Sequence, residues 1–203
     1  MTNNQNVETK TQELICQKRR YDKSFDKIVN CFKEKLTAFD PVENSFEIEE
    51  YFGEGKGQVT STNLLIKNEM IKSDWLREYK TKKGKIKKDF KGLYVFIHNN
   101  KPFYVGISKG VIGRIIQHVK GHNHNTSTLA YKIGLIRFEL MNGYEYNGER
   151  KKLNFESEVE PVKAFLLKQK LSFIPIDNDE ELTLFEIYCS MQLQTWLNTF
   201  ETH

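Results

Sequence analysis

Apolar and polar positions change their rhythm along this chain, and the changes mark its elements. From about Thr9 to Phe39, Leu14, Ile15, Tyr21, Phe25, Ile28, Val29, Phe32 and Leu36 recur at three-and-four spacing, one face of an amphipathic helix. Asp40-Pro41 ends it, because a residue before proline disfavours helix. Residues 1–8 are polar and expected to be disordered. An acidic stretch punctuated by Gly53 and Gly57 reads as loop with a short strand. A second helix is predicted from about Thr62 to Tyr79 on Leu64, Leu65, Met70, Ile71, Trp75 and Leu76.

Beyond residue 91 the period shortens to that of strands. Gly92–His98 and Pro102–Ile107 are rich in β-branched and aromatic residues, and Asn99-Asn100-Lys101 between them forms a turn, so the two runs predict a β-hairpin. A helix follows from about Val111 to Lys120, closed by Gly121 in the manner of a C-terminal cap. A further helix runs from about Ser127 to Leu135, and Pro161 opens another that reaches about Lys170. Leu171–Ile176 reads as a buried third strand. Asp177-Asn178-Asp179 offers N-caps for a last helix from about Glu180 to Thr195.

Composition narrows the class. The 203 residues suffice for one catalytic domain plus an accessory segment. No apolar stretch approaches the ~20 residues of a membrane span, and the polar N-terminus lacks the core of a secretory signal, so a cytoplasmic protein is expected. Cys16, Cys31 and Cys189 form no CxxC pair, which argues against a disulfide framework or a structural zinc site. Net charge is only +4, but its distribution is uneven: residues 80–91 hold seven lysines and one aspartate. That run reads as a basic linker at the entrance to a phosphate-handling site, with Lys85, Lys87, Lys88 and, further on, Lys109 as candidate nucleic-acid contacts, against the plain alternative of a solvated connector.

Tyr94 and Tyr104 on the predicted hairpin, with Arg114 and His118 soon after it, are groups that could serve phosphodiester hydrolysis, which needs an activated water, charge stabilisation and help for the leaving oxygen. Arg114 and His118 lie four residues apart and share one helix face. Glu186 sits between Phe185 and Ile187 on the last helix, where a charge is costly without a partner or a metal. Plain structural readings stand beside these: tyrosines satisfied in a core, a surface-paired arginine, a surface glutamate. His118, His122 and His124 also invite a zinc site, but without nearby cysteine or acidic partners they read better as polar loop histidines.

Gly92-Leu93-Tyr94 and Tyr104-Val105-Gly106 together resemble the signature of the GIY-YIG nucleases, with leucine and valine replacing isoleucine. Arg114, ten residues after Tyr104, then His118, Glu186 and Asn198 follow in the family's order. The resemblance implies an α+β fold: a small three-stranded antiparallel sheet flanked by helices, here with an N-terminal helical extension over residues 1–85 and the catalytic domain over 86–203. It implies Tyr94 and Tyr104 lining the cleft, one of them serving as general base or positioning water. Arg114 would clamp the phosphate and His118 orient a tyrosine hydroxyl or move its proton. Glu186 would bind a single Mg2+ or Mn2+, while Gly106 and Asn198 support the architecture. The implied reaction is cleavage of DNA to 5′-phosphate and 3′-hydroxyl ends. Within the family the compact layout favours a restriction-like enzyme, with the N-terminal segment contacting DNA or forming a homodimer. A repair or mobile-element nuclease, a catalytically silent nucleic-acid-binding module and a protein-interaction domain are the alternatives. Ile107 stands where many members carry lysine.

Overall fold

The two apolar runs form the central hairpin of the sheet. In the computed structural model β4 (Gly92–His98) and β5 (Lys101–Ser108) pair antiparallel. They are joined by Asn99 and Asn100, both with positive φ (49° and 59°), as a two-residue turn between right-twisted strands requires. Lys101 therefore opens β5 rather than belonging to the turn. A register shift at Phe96/Ile97 leaves Phe103 as an extra residue in β5, a bulge beside Tyr104.

The structure describes residue 7, residues 9–13, residue 15, residues 23–81 and residues 84–200. The chain divides into two compact units, residues 1–35 and 36–203. The first contains helical residues 9–13 and most of helix α1 (Phe25–Ala38). Residues 1–6, 8, 14 and 16–22, over which disorder or helix was expected, lie outside the described residues. Past α1, Asp40 accepts the backbone N–H of Val42 at 2.7 Å, a side-chain turn at the expected break.

In the second unit β6 (Lys170–Pro175) pairs antiparallel with the inner side of β4, giving the expected three-stranded core. A two-residue strand, β1 (Phe46–Glu47), extends it to four in the order β1-β6-β4-β5. Short helices α2 (Ile48–Phe52) and α3 (Gln58–Lys67) follow β1. The helix expected to reach Tyr79 stops at Lys67: Glu69 turns left-handed (φ 60°), and Arg77–Lys80 become strand β2. Its partner β3 (Ile86–Asp89) lies within the lysine run, so Arg77–Lys80 and Ile86–Asp89 form a two-stranded ribbon. The boundary expected at residue 85/86 falls in that ribbon.

Helices α4 (Val111–Lys120) and α5 (Thr128–Asn142, longer than predicted) come next. A π-helical turn at Phe155–Val159 leads into α6 (Glu160–Leu167), and α7 (Asp179–Gln192) is capped by Asn178, which accepts the N–H of Glu181 at 2.9 Å. Gly121 is extended (φ −60°, ψ 145°), so it closes α4 without the left-handed turn.

One face of the sheet, carrying Tyr94 and Phe96, joins Ile112, Ile115 and Val119 of α4 and Leu129 of α5 in the main core. Leu93, Val95 and Ile97 alternate to the other face and are equally buried, where α7 packs over β4 and β5. Helices bearing candidate residues thus flank the edge strand β5. Among the described residues no helix is long and apolar enough to cross a membrane.

Candidate active site

Cross-strand register begins the site. Tyr94 stands opposite Gly106, and a Cβ on Gly106 would collide with the ring carbon Cζ and the hydroxyl of Tyr94. Only a glycine lets the ring lie flat across β5. At the other signature glycine, Gly92, a Cβ would meet the Ile174 carbonyl oxygen of β6. Both glycines are demanded by close approach.

Tyr94 is 1% exposed and its hydroxyl lies 2.8 Å from Nε2 of His118, which is wholly buried. The rings of Tyr94, Tyr104 and His118 form a cluster with centroids 5.7–6.2 Å apart. Burial pushes the Tyr94 phenol well above its ordinary pKa, and neighbouring Tyr104 adds to the rise while Arg114 draws it back. Burial, reinforced by the Arg114 cation, holds His118 well below its ordinary value, so the imidazole is neutral. Its Nδ1 has no hydrogen-bond partner.

Arg114 is fixed on three sides. Nη1 donates to Gln117 Oε1 at 2.9 Å and to the Thr126 carbonyl at 3.4 Å, and Nη2 donates to Thr128 Oγ1. The helix that carries it is anchored from the ribbon. Asp89, at the end of β3, accepts the backbone N–H groups of Ile112 (2.8 Å) and Gly113 (2.9 Å) in the first turn of α4, and Gln58 Nε2 donates to it at 3.0 Å. This is a helix cap supplied from a distant strand. Burial still raises the Asp89 carboxyl against the pull of those N–H donors.

A cleft of about 460 Å³ opens beside β5, with Tyr104, Lys132, Arg150, Tyr131, Glu186 and Asn198 on its walls. Glu186 projects from α7, half-buried. Burial alone raises its carboxyl to about 6, and no cation pairs with it among the described residues. Tyr104 is pushed up by burial first and by the Glu186 charge second. Asn198 pairs with the edge strand as a backbone would: Nδ2 donates to the Val105 carbonyl at 2.7 Å, and Oδ1 accepts the Val105 N–H at 2.9 Å. Tyr94, His118 and Arg114 thus adjoin the cleft through Tyr104 and Thr128.

A GIY-YIG catalytic-domain model matches residues 90–160. Over that span, about a third of the chain, the sequence matches the GIY-YIG nuclease superfamily. No curated protein and no solved structure matches the chain. The matched GIY-YIG span holds both tyrosines, Arg114 and His118; Glu186 and Asn198 lie C-terminal to it and join the site through α7 and the segment that follows.

The basic candidates around this GIY-YIG-like domain are spread. Lys85, Lys87 and Lys88 ride on or beside β3, with Lys88 3.3 Å from Glu78. Lys109 is 3.0 Å from Asp179, which it shares with Lys91. His118 is committed to Tyr94, and His124 Nε2 bonds the Leu153 carbonyl at 2.8 Å; among the described residues no three metal-ligating side chains cluster. Sequence reasoning missed Asp89, Thr128, Lys132 and Arg150.

Proposed function

We propose that the protein is a metal-dependent DNA endonuclease that yields 5′-phosphate and 3′-hydroxyl ends and acts as a type II restriction-like enzyme. The observation that carries the reading is Glu186: a half-buried carboxylate, raised to about 6 and lacking a cationic partner, on the wall of the cleft that Tyr104 also lines. That is the environment expected of a ligand for a hard divalent ion, and a single carboxylate with retained waters suits Mg2+ or Mn2+. Such an ion supplies phosphate polarisation and a more acidic bound water.

The protein's own groups divide the remaining work. Arg114, with its planar fork set by Gln117, Thr126 and Thr128, clamps the scissile phosphate. Tyr104 is the phenol on the cleft wall and orients the attacking water; its proton is held tightly while the Glu186 charge stands uncompensated, and more loosely once that charge is neutralised. Tyr94, buried beside it and bonded to neutral His118, positions the Tyr104 ring. The ribbon lysines Lys85, Lys87 and Lys88 contact the DNA backbone, Lys109 exchanges Asp179 for phosphate, and the N-terminal segment contacts DNA or forms the homodimer. The enzyme works in the cytoplasm.

The test is cleavage of supercoiled plasmid with Mg2+, with EDTA, and by Glu186→Ala and Arg114→Ala. Metal-dependent nicking abolished by either substitution is expected, with cuts confined to a defined sequence. Activity surviving both changes would sink the site.

A further inference from the structure

Two opposite charges share the cleft without pairing. Arg150 and Glu186 both line it, yet they make no ion pair with each other, and neither finds another counter-ion among the described residues. Unpaired charges in a partly desolvated cleft carry a cost, and mutual collapse would relieve it. Arg150 is held back from that collapse by a built scaffold. Its guanidinium carbon lies 4.1 Å from the Tyr131 ring centroid, a cation–π stack, and Nη2 donates to the His124 carbonyl at 2.7 Å. His124 is in turn fixed by its bond to Leu153 and by the edges of Tyr131 and Phe155. The Arg150 Nε is buried with no partner.

We propose that Arg150 is a second anion-binding group of this cleft, taking a non-scissile phosphate of the bound strand while Arg114 and Glu186 serve the scissile one. The inference rests on the nuclease reading. A flat guanidinium pre-set on an aromatic face binds a phosphate fork with little ordering left to do. Lys132, on the same wall, adds positive charge while its Nζ ties down Leu197 and Thr199, so this side of the cleft is cationic and the α7 side carries the carboxylate. A polyanionic strand with a cation at Glu186 matches both walls at once. Arg150 lies in the turn between α5 and the π-helical segment, separate from the elements that hold Arg114.

The test is fluorescence anisotropy of labelled duplex DNA with Ca2+ replacing Mg2+, across a salt series, beside cleavage kinetics. Arg150→Gln should weaken binding about tenfold and flatten the slope of log affinity against log salt by about one phosphate contact. Its kcat at saturating DNA should stay within about threefold of wild type, whereas Arg114→Ala loses kcat. Arg150→Lys, which keeps the stem and charge, guards against misfolding: it should retain the wild-type salt slope with weaker binding. In a scan of single neutral methylphosphonate linkages, one non-scissile position should weaken the wild type and Arg150→Lys and leave Arg150→Gln little affected. Unchanged affinity and slope in Arg150→Gln, or no sensitive non-scissile linkage, overturns the subsite while cleavage by the wild type keeps the nuclease reading. A wild-type protein that neither binds nor nicks DNA removes that reading itself.

Discussion

Tyr94 and Gly106 face one another across the hairpin, and the ring of the first fills the space a side chain on the second would need. The two signature tripeptides are therefore halves of one steric contact. Gly106→Ala should cost roughly 3 kcal/mol through overpacking. Combining it with Tyr94→Leu should recover part of that loss, and urea denaturation of the two single variants and the double variant reads the coupling. Additive losses would mean that the ring and the glycine do not constrain each other.

Asp89 should be worth more to stability than its place in a lysine run suggests. Asp89→Ala strands the N–H groups of Ile112 and Gly113 at the start of α4, at a cost of about 3 kcal/mol. Asp89→Asn keeps one acceptor oxygen and should lose about half as much by the same measure. An alanine variant with an unshifted melting temperature would show that the cap carries no weight.

That residue also marks where the sequence ceased to be legible. The hairpin was readable because its apolar runs are bounded by an Asn-Asn turn, and α4 because its isoleucines repeat at helical spacing. The β2–β3 ribbon was not, since most of its side chains are exposed and alternation among lysines leaves no apolar mark. Asp89 acts on a helix over twenty residues downstream, a relation only the fold creates. Arg150 looked like one more charge in Glu149-Arg150-Lys151-Lys152 until Tyr131 and His124 were placed beneath it. His118 and Arg114 were expected on one face, yet one is sealed in the core and the other half-exposed.

Glu186 gives a signed pH dependence. Its folded pKa, about 6, lies above the usual 4.5 for an unfolded glutamate, so its stabilising contribution is complete below pH 4.5 and is lost as pH rises through about 6. Without divalent ions, Glu186→Gln should match wild-type stability at pH 4 and exceed it at pH 8 by about 1 kcal/mol. Calorimetric melts at the two pH values check the sign. Affinity for Mn2+ should rise with pH through the same window in the wild type and be lost in the variant.

The two tyrosines should separate kinetically. Tyr104→Phe removes the hydroxyl on the cleft wall and should lower kcat about a hundredfold. Tyr94→Phe removes a buried hydroxyl bonded to His118 and should show the smaller kinetic loss together with a drop of about 1 kcal/mol in stability. Single-turnover cleavage rates for the pair decide the order; equal rates would refute the division of labour.

Asn198 has a bearing on how copies of this chain can meet. An uncovered edge strand invites the edge of a second molecule, and sheets running on from one subunit into the next arise that way. Here Val105 already has both its polar backbone groups occupied by one side-chain amide, and the Leu197 N–H reaches the carbonyl of Phe103, 3.4 Å away. The opposite edge, β1, offers only two residues. A homodimer would therefore have to join through surfaces other than the edges of this sheet, leaving the cleft beside β5 open to a strand of nucleic acid.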